Sequence, residues 1–529
     1  MNIAVLNTGG TISCIGNPLH PMTAGHFAQA CQSIIDPIVR QTYPTINLTY
    51  ITDLSFPESQ SGTLDSTNLQ PTDWCLIAAY ILRHYAAYDG WVVLHGTDTM
   101  DFTGAALPFL LSCFDENGIP TAALSKPVVI TGSQVPMFYQ DPASQSLTLN
   151  FDTDAFQNFC GAITAAQTGI PEVCVYFHGK LYRGNRILKT NATEFDAFSS
   201  PNYPALGESG IEFALSPRNL LPPPISFDVS LDNSAALTAV TLQLSSIQAA
   251  INQFPVIKFA AFPAAYNAAA STAVLAGLIR ASLSTGARGI ILESYGEGNF
   301  PSGNPDNPSQ GAIFQALNEA NQAGIIIVAC TQVIRGIVND GAYAAGAWLQ
   351  HIGALNPADM TPMAAFAKLM ILLAAQSHHS WSADTVRHLL QLNLLGERIS
   401  TCRMDSRTNS VLLAGQSLST HDGSATLLNH PTAGPILTTS TGVNLWRALA
   451  NPPQSALPGR LIMQHDGNLV FYGRDNVPLW STQTAAPQGA PSILQLKGSA
   501  TNQSLTLELY NYRTRRITTR LFSYRCESV

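Results

Sequence analysis

The chain has 529 residues, room for about three domains at roughly 100–200 residues each. Lys plus Arg number 26 against 34 Asp plus Glu, a net charge of −8; no basic cluster offsets it, and such a surface repels nucleic acid. Charged residues make up 11% and hydrophobic ones 46%, against about 25% charged in an ordinary soluble domain; this composition builds large cores and excludes a disordered chain.

The opening Met1-Asn2-Ile3-Ala4-Val5-Leu6 runs straight into Asn7-Thr8-Gly9-Gly10, without the basic region or the apolar stretch of a signal peptide. No apolar run reaches the ~18 residues of a spanning helix. The expectation is a cytoplasmic protein, with export by a signal-independent route as the alternative. Nine cysteines lie mostly in apolar runs and form no Cys-x-x-Cys pair. They read as reduced core residues, neither a disulfide framework nor a zinc site. Nothing in the chain calls for a metal or an organic cofactor.

Apolar runs of strand length recur up to residue 330, and several end in small polar residues. Ile3–Leu6 leads into Asn-Thr-Gly-Gly-Thr, Trp91–Leu94 into His-Gly-Thr-Asp-Thr, Pro127–Ile130 into Thr-Gly-Ser-Gln, and Val173–Phe177 into His-Gly-Lys. Between them lie helical stretches; one is expected over Asp73–Tyr88, opened by Thr72 and closed at Gly90. This alternation predicts an α/β fold with a parallel sheet covered on both faces, whose ligand sits beyond the carboxyl ends of the strands. The first domain is expected over 1–214. Residues 215–228, with four prolines, read as a linker. A second, smaller α/β domain follows over 229–402, carrying the runs Gly289–Glu293 and Ile325–Ala329 and a helix near Ala312–Ala323. From Arg403 short Thr/Ser/Leu-rich segments alternate with Gly, Asn and Pro turns, so 403–529 is expected to be all β.

Thr8-Gly9-Gly10-Thr11-Ile12 follows the first strand, and its glycines let backbone approach a ligand closely. It is not G-x-G-x-x-G, which disfavours a dinucleotide cofactor. His95 alone reads as a structural histidine. Taken with Leu64-Asp65-Ser66-Thr67, HGTDTM at 95–100, KPVVITGSQVP at 126–136, LYRGNRILK at 181–189, FDAFSSPN at 195–202, ILESYGEGN at 291–299 and GIIIVACTQ at 324–332, the chain resembles the bacterial-type L-asparaginases, most closely the type I branch, from Ile3 to about Ser400.

The resemblance implies a two-domain hydrolase fold and release of ammonia from L-asparagine. Thr11 stands where that family has its nucleophile, with Thr97, Asp98 and Lys189 as the supporting set. Asp65 and Ser66 match the substrate-holding pair. Asn299 matches a residue that reaches the site of a neighbouring subunit, which implies a homodimer or homotetramer. A basic lysine can take the proton of a threonine hydroxyl, and Asp98 can pair with a substrate ammonium. Two features depart from the pattern. Ser13–Met22 reads SCIGNPLHPM and lacks the family's lid tyrosine; Leu19 falls at that position, and His20 is a candidate substitute. The effector cysteine of some type I enzymes falls near Val333. Glutaminase and lysophospholipase-type hydrolysis are the alternative activities, and a glycan-binding protein on an inactive scaffold is the alternative of another class.

In the C-terminal part, Gln464-His465-Asp466-Gly467-Asn468-Leu469-Val470-Phe471-Tyr472 resembles the Q-x-D-x-N-x-V-x-Y motif of bulb-type, mannose-binding lectins. Gln464, Asp466, Asn468, Val470 and Tyr472 share one strand face by period two. The resemblance implies a β-prism and a mannose-type glycan as partner. Leu445-Trp446 repeats Leu479-Trp480 34 residues on, while Asp422-Gly423 and Gln495–Leu509 read as degenerate copies.

Overall fold

The strands that precede the polar motifs lie side by side. In the computed structural model an eight-stranded sheet runs in the order 213–215, 207–209, 180–183, 173–177, 128–131, 90–94, 2–7 and 47–51. The last five are parallel; the first three are antiparallel additions at one edge. All residues are described except 117, 222, 225, 340–342, 400–402, 407–409, 421–422, 487–491, 502, 512–513, 515 and 525–529. Strands Gly90–Leu94, Val128–Thr131 and Val173–Phe177 are buried along their whole length, which is why they read as unbroken apolar runs. Helix Ala155–Ala166 seals one face through Phe159 and Ile163.

The helix expected over Asp73–Tyr88 spans Pro71–Arg83 instead. Gln70, not Thr72, caps it: the Gln70 side chain accepts from the third backbone N–H, and Asp73 accepts from the Gln70 N–H at 2.8 Å. Pro71, which needs no amide partner, fits the first turn. The helix stops at His84, and Gly90 opens the next strand rather than closing the helix.

The stretch 215–228 is not a free tether. Leu215 belongs to an edge strand. The Asn219 carbonyl accepts from Arg183 at 2.7 Å and from the Tyr203 hydroxyl at 2.9 Å, and the Leu221 N–H donates to Glu172. Past it, strands Val256–Ala260, Gly289–Ser294 and Ile326–Thr331 form a three-stranded parallel sheet, with helices Val274–Leu283, Ala312–Gln322 and Ala344–His351 packed in its core. A buried ion pair, Arg186 to Asp359 at 2.7 Å, fastens the two parts, and a second, Lys368 to Glu397, is fully enclosed within the later one. Residues Met1–Arg398 form one compact unit.

One helix runs against the expectation about spanning length. Ser234–Gln253 is long and apolar enough to cross a membrane, with a best-window mean hydropathy of 1.3. Alanines and leucines set that mean, but Gln243 inside it is buried and donates to the Ser112 carbonyl at 2.9 Å.

The second unit, Ile399–Val529, holds three four-stranded antiparallel sheets. Two of them repeat at an offset of 34 residues. Leu437 pairs with Trp446 as Phe471 pairs with Trp480, and each hairpin carries a bulge at the next position. The two tryptophans meet edge to face at 5.6 Å. The seven described cysteines are free; Cys402, Cys526 and Asp422 lie outside the described residues.

Candidate active site

The sheet order makes the strands 2–7, 90–94 and 128–131 neighbours, so the segments that leave their carboxyl ends meet. Backbone bonds tie them: Thr8 N–H to the Leu94 carbonyl at 3.0 Å, Gly10 N–H to the Leu64 carbonyl at 3.1 Å, and His95 N–H to the Thr131 carbonyl at 2.8 Å. At Gly10 (φ 78°) an added Cβ would lie 2.2 Å from the Gly96 Cα. Only glycine allows the two turns to approach this closely.

Thr11 follows that contact at the start of a short 3₁₀ turn, Thr11–Ser13. No described residue hydrogen-bonds its hydroxyl. One residue past Gly96, Thr97 is nearly buried, and its hydroxyl accepts from Lys189 Nζ at 2.8 Å. The same Nζ donates to Asp98 Oδ1 at 2.7 Å. Lys189 is delivered by a two-residue strand, Leu188–Lys189, paired with Phe198–Ser199. Thr97, Asp98 and Lys189 are therefore brought together beside the glycine turn that carries Thr11. The backbone N–H groups of Thr97 and Asp98 donate to no described acceptor and can meet a developing oxyanion.

Ser66 is 1% exposed, its hydroxyl has no partner among the described residues, and it lies against Gly96. A buried, unpartnered hydroxyl at this place suits a polar ligand. Asp65 is exposed and caps its own turn by accepting from Thr67. His95 is fully buried, bonded to the Gly96 carbonyl at 2.6 Å and to Thr103 at 2.8 Å; burial pushes its imidazole down to about 4. It is neutral at pH 7 and holds the loop. Asp101, whose carboxyl is pushed up by burial, accepts from the Lys189 N–H.

The segment expected to be a lid is a small hairpin: Cys14 pairs with Pro21 and Ile15 with His20. Leu19 is 55% exposed, and His20 is exposed too; among the described residues its ring bonds to the Pro18 carbonyl at 3.4 Å. The hairpin brings neither residue to Thr11 through any hydrogen bond. Asn299 sits in the turn that leaves strand Gly289–Ser294, held by the Tyr295 carbonyl, and no hydrogen bond links it to the Thr97–Lys189 cluster. Lys189 also forms part of the wall of a cavity of about 260 Å³ with Glu293, Thr331, Val333 and Met360. No group of three or more His, Cys, Asp or Glu side chains among the described residues could hold a metal ion.

Residues 2–219 match the family described as "Asparaginase, N-terminal", and 269–387 match the "Glutaminase/Asparaginase C-terminal domain". L-asparaginase 1 of Escherichia coli K12 is 33% identical over 397 residues, covering 75% of this chain and 97% of its own length. This chain belongs to the L-asparaginase family. The amidohydrolase class of enzyme follows from that membership. The human 60 kDa lysophospholipase is 34% identical over 334 residues, but this chain covers only 48% of its length. Among solved structures, L-asparaginase I from Vibrio cholerae superposes with a TM-score of 0.55 at 30% identity, over 75% of this chain and 99% of that one.

Gln134 escapes a reading by residue type, because an amide side chain carries no titratable signal. It accepts from the Thr97 hydroxyl at 3.3 Å; only its place in the TGSQ segment pointed toward the site.

In the second unit, Gln464 Nε2 donates to the Tyr472 hydroxyl at 2.8 Å, and Asn468 Oδ1 accepts from Thr482 at 3.1 Å and from the Thr484 N–H at 3.3 Å. Asp466 accepts from the Asn468 N–H, and Val470 is 3% exposed. The related sheets lack this set. At the 34-residue offset His430, Thr432, Gly434 and Thr438 stand in place of Gln464, Asp466, Asn468 and Tyr472. In the third sheet the bulge register puts buried Glu508 where Val470 stands, bonded to Gln495 at 2.9 Å and Arg520 at 3.3 Å.

Proposed function

We propose that the enzyme hydrolyses L-asparagine to L-aspartate and ammonia with Thr11 as nucleophile. The observation that carries this reading is Lys189 Nζ bonded at once to Thr97 and Asp98, on the loop that adjoins the Thr11 turn. Thr11 Oγ attacks the amide carbon, and the oxyanion that forms meets the N–H groups of Thr97 and Asp98. Collapse breaks the C–N bond, and ammonia leaves carrying the Thr11 hydroxyl proton. Water then cleaves the ester, releases aspartate and restores the Thr11 hydroxyl. Asp98 Oδ2, with no described partner, pairs with the substrate ammonium, while Ser66 and Asp65 hold its other polar groups. Asn299 serves the site of a neighbouring subunit in a homodimer or homotetramer. Glutamine differs by one methylene, worth about 1–3 kcal/mol of discrimination, and is the competing substrate to assay. An electrophilic diazoketone analogue of asparagine tests the nucleophile: it is expected to label the peptide that carries Thr11, and labelling elsewhere removes Thr11 from the role.

The second unit is proposed to be a β-prism lectin with a single working site, formed by Gln464, Asp466, Asn468, Val470 and Tyr472, for a mannose-type glycan. Supporting this is the polar set on one hairpin, absent from its two sister sheets. Retention on mannose–agarose, lost in Asn468→Ala, tests it; equal retention of both proteins, or of neither, contradicts it.

A further inference from the structure

Gln134 is anchored from both ends. Its backbone N–H donates to Asp154 at 3.0 and 3.1 Å, and the Val135 N–H donates to the same carboxylate at 3.1 Å. Asp154 in turn accepts from Asn158, which also donates to the Gly132 carbonyl. The side chain is held too: Nε2 donates to the carbonyls of Ala192 at 3.3 Å and Glu194 at 3.2 Å. With two carbonyl oxygens at one end, the amide fits only one way round, NH₂ toward them. Oε1 must then face Thr97, where it can only accept.

A threonine hydroxyl has one proton and two lone pairs. With that proton committed to Gln134 and one lone pair taken by Lys189 Nζ, a single lone pair remains for whatever donor enters. We propose that Gln134 is a positioning residue that fixes the Thr97 hydroxyl as an acceptor toward Lys189 and toward the attacking water or the substrate amide. This deepens the asparagine-hydrolysis reading and rests on it for its kinetic test. Gln134 touches no reacting atom in this role; it acts through Thr97.

The test uses the full chain and the variants Gln134→Leu, Thr97→Val and the double variant. Gln134→Leu is expected to lower kcat for asparagine about 10²-fold with KM within threefold, because the lost interaction orients a catalytic hydroxyl and does not bind substrate. In the Thr97→Val background the same change is expected to do nothing further, since the pair acts as one unit. Additive losses, or a rise in KM with kcat unchanged, would overturn the assignment in favour of a role in holding the 192–194 segment. A crystal structure of Gln134→Leu reads the assignment without turnover: the Thr97 hydroxyl is expected to rotate away from its 2.8 Å contact with Lys189. An unmoved hydroxyl refutes the proposal. Absent ammonia release by the unaltered chain refutes the hydrolysis reading instead.

Discussion

Gly10→Ala tests how the site is built. The residue has φ 78°, and its added Cβ would lie 2.2 Å from the Gly96 Cα and 2.3 Å from the Gly96 nitrogen. With ψ 177° it lies in a backbone region that only glycine occupies readily, where a side chain costs roughly 1–3 kcal/mol. Carbon atoms rest about 3.5–4.0 Å apart, so the two turns must separate by roughly 1.5 Å. Neither can yield by rotating a side chain, since both clashing groups are backbone. Overpacking of this kind adds about 1–3 kcal/mol, for a total near 2–6 kcal/mol. A displacement of about 1 Å at a catalytic site costs on the order of 10²-fold in rate, so kcat/KM for ammonia release should fall at least that far. Gly169→Ala is the control: φ is 71° and nothing lies within 4 Å of its Cβ. It incurs the backbone cost alone and leaves turnover intact. Urea midpoints and steady-state kinetics on both variants separate the two contributions. Equal midpoints for both, with kcat/KM of Gly10→Ala within threefold of the unaltered chain, would refute the close approach of the two turns.

Three further expectations follow from the same geometry. Burial holds His95 near 4 in the folded chain against about 6.5 unfolded; the unfolded state then binds more protons between these values, so stability is complete above about pH 6.5 and declines as pH falls to 4. The loss approaches 3 kcal/mol, and urea midpoints at pH 7 and 4.5 should show a smaller drop in His95→Gln. His20→Ala should leave kcat/KM within threefold and the acid limb of the pH–rate profile unmoved, because His20 is exposed and its ring, among the described residues, bonds to the Pro18 carbonyl; a loss near 10²-fold would make it a proton carrier. A chain ending at Arg398, the limit of the first compact unit, should keep ammonia release and lose retention on mannose–agarose; insolubility would show that the second unit is needed for assembly.

The strand ends were legible because burial on both faces leaves an unbroken apolar run, as in Val173–Phe177 and Gly90–Leu94. The glycine turns were legible as motifs, although the reason for Gly10, its contact with Gly96, exists only in three dimensions. Helix Pro71–Arg83 shows the limit: Thr72 is the better capping residue by type, yet Pro71 and the Gln70–Asp73 exchange decide the start. The proline-rich 215–228 stretch reads as a linker, and its contacts are not legible because the partners of Asn219 and Leu221, namely Arg183, Tyr203 and Glu172, lie far away in sequence. Gln134 could not be weighed from its residue type, since its role depends on carbonyls at 192 and 194 that orient its amide. In the second unit the 34-residue offset was visible in two tryptophans, while the ion pair that replaces Val470 by Glu508 became visible only through the strand register.

The central claim is that this chain cleaves asparagine through Thr11. Steady-state ammonia release from L-asparagine, measured on the purified full chain beside Thr11→Ala and with L-glutamine in parallel, tests it most directly. The account predicts turnover of asparagine by the unaltered chain and a loss of at least about 10³-fold in Thr11→Ala at unchanged thermal stability. Turnover by Thr11→Ala within tenfold of the unaltered chain, or none by either protein, would contradict it.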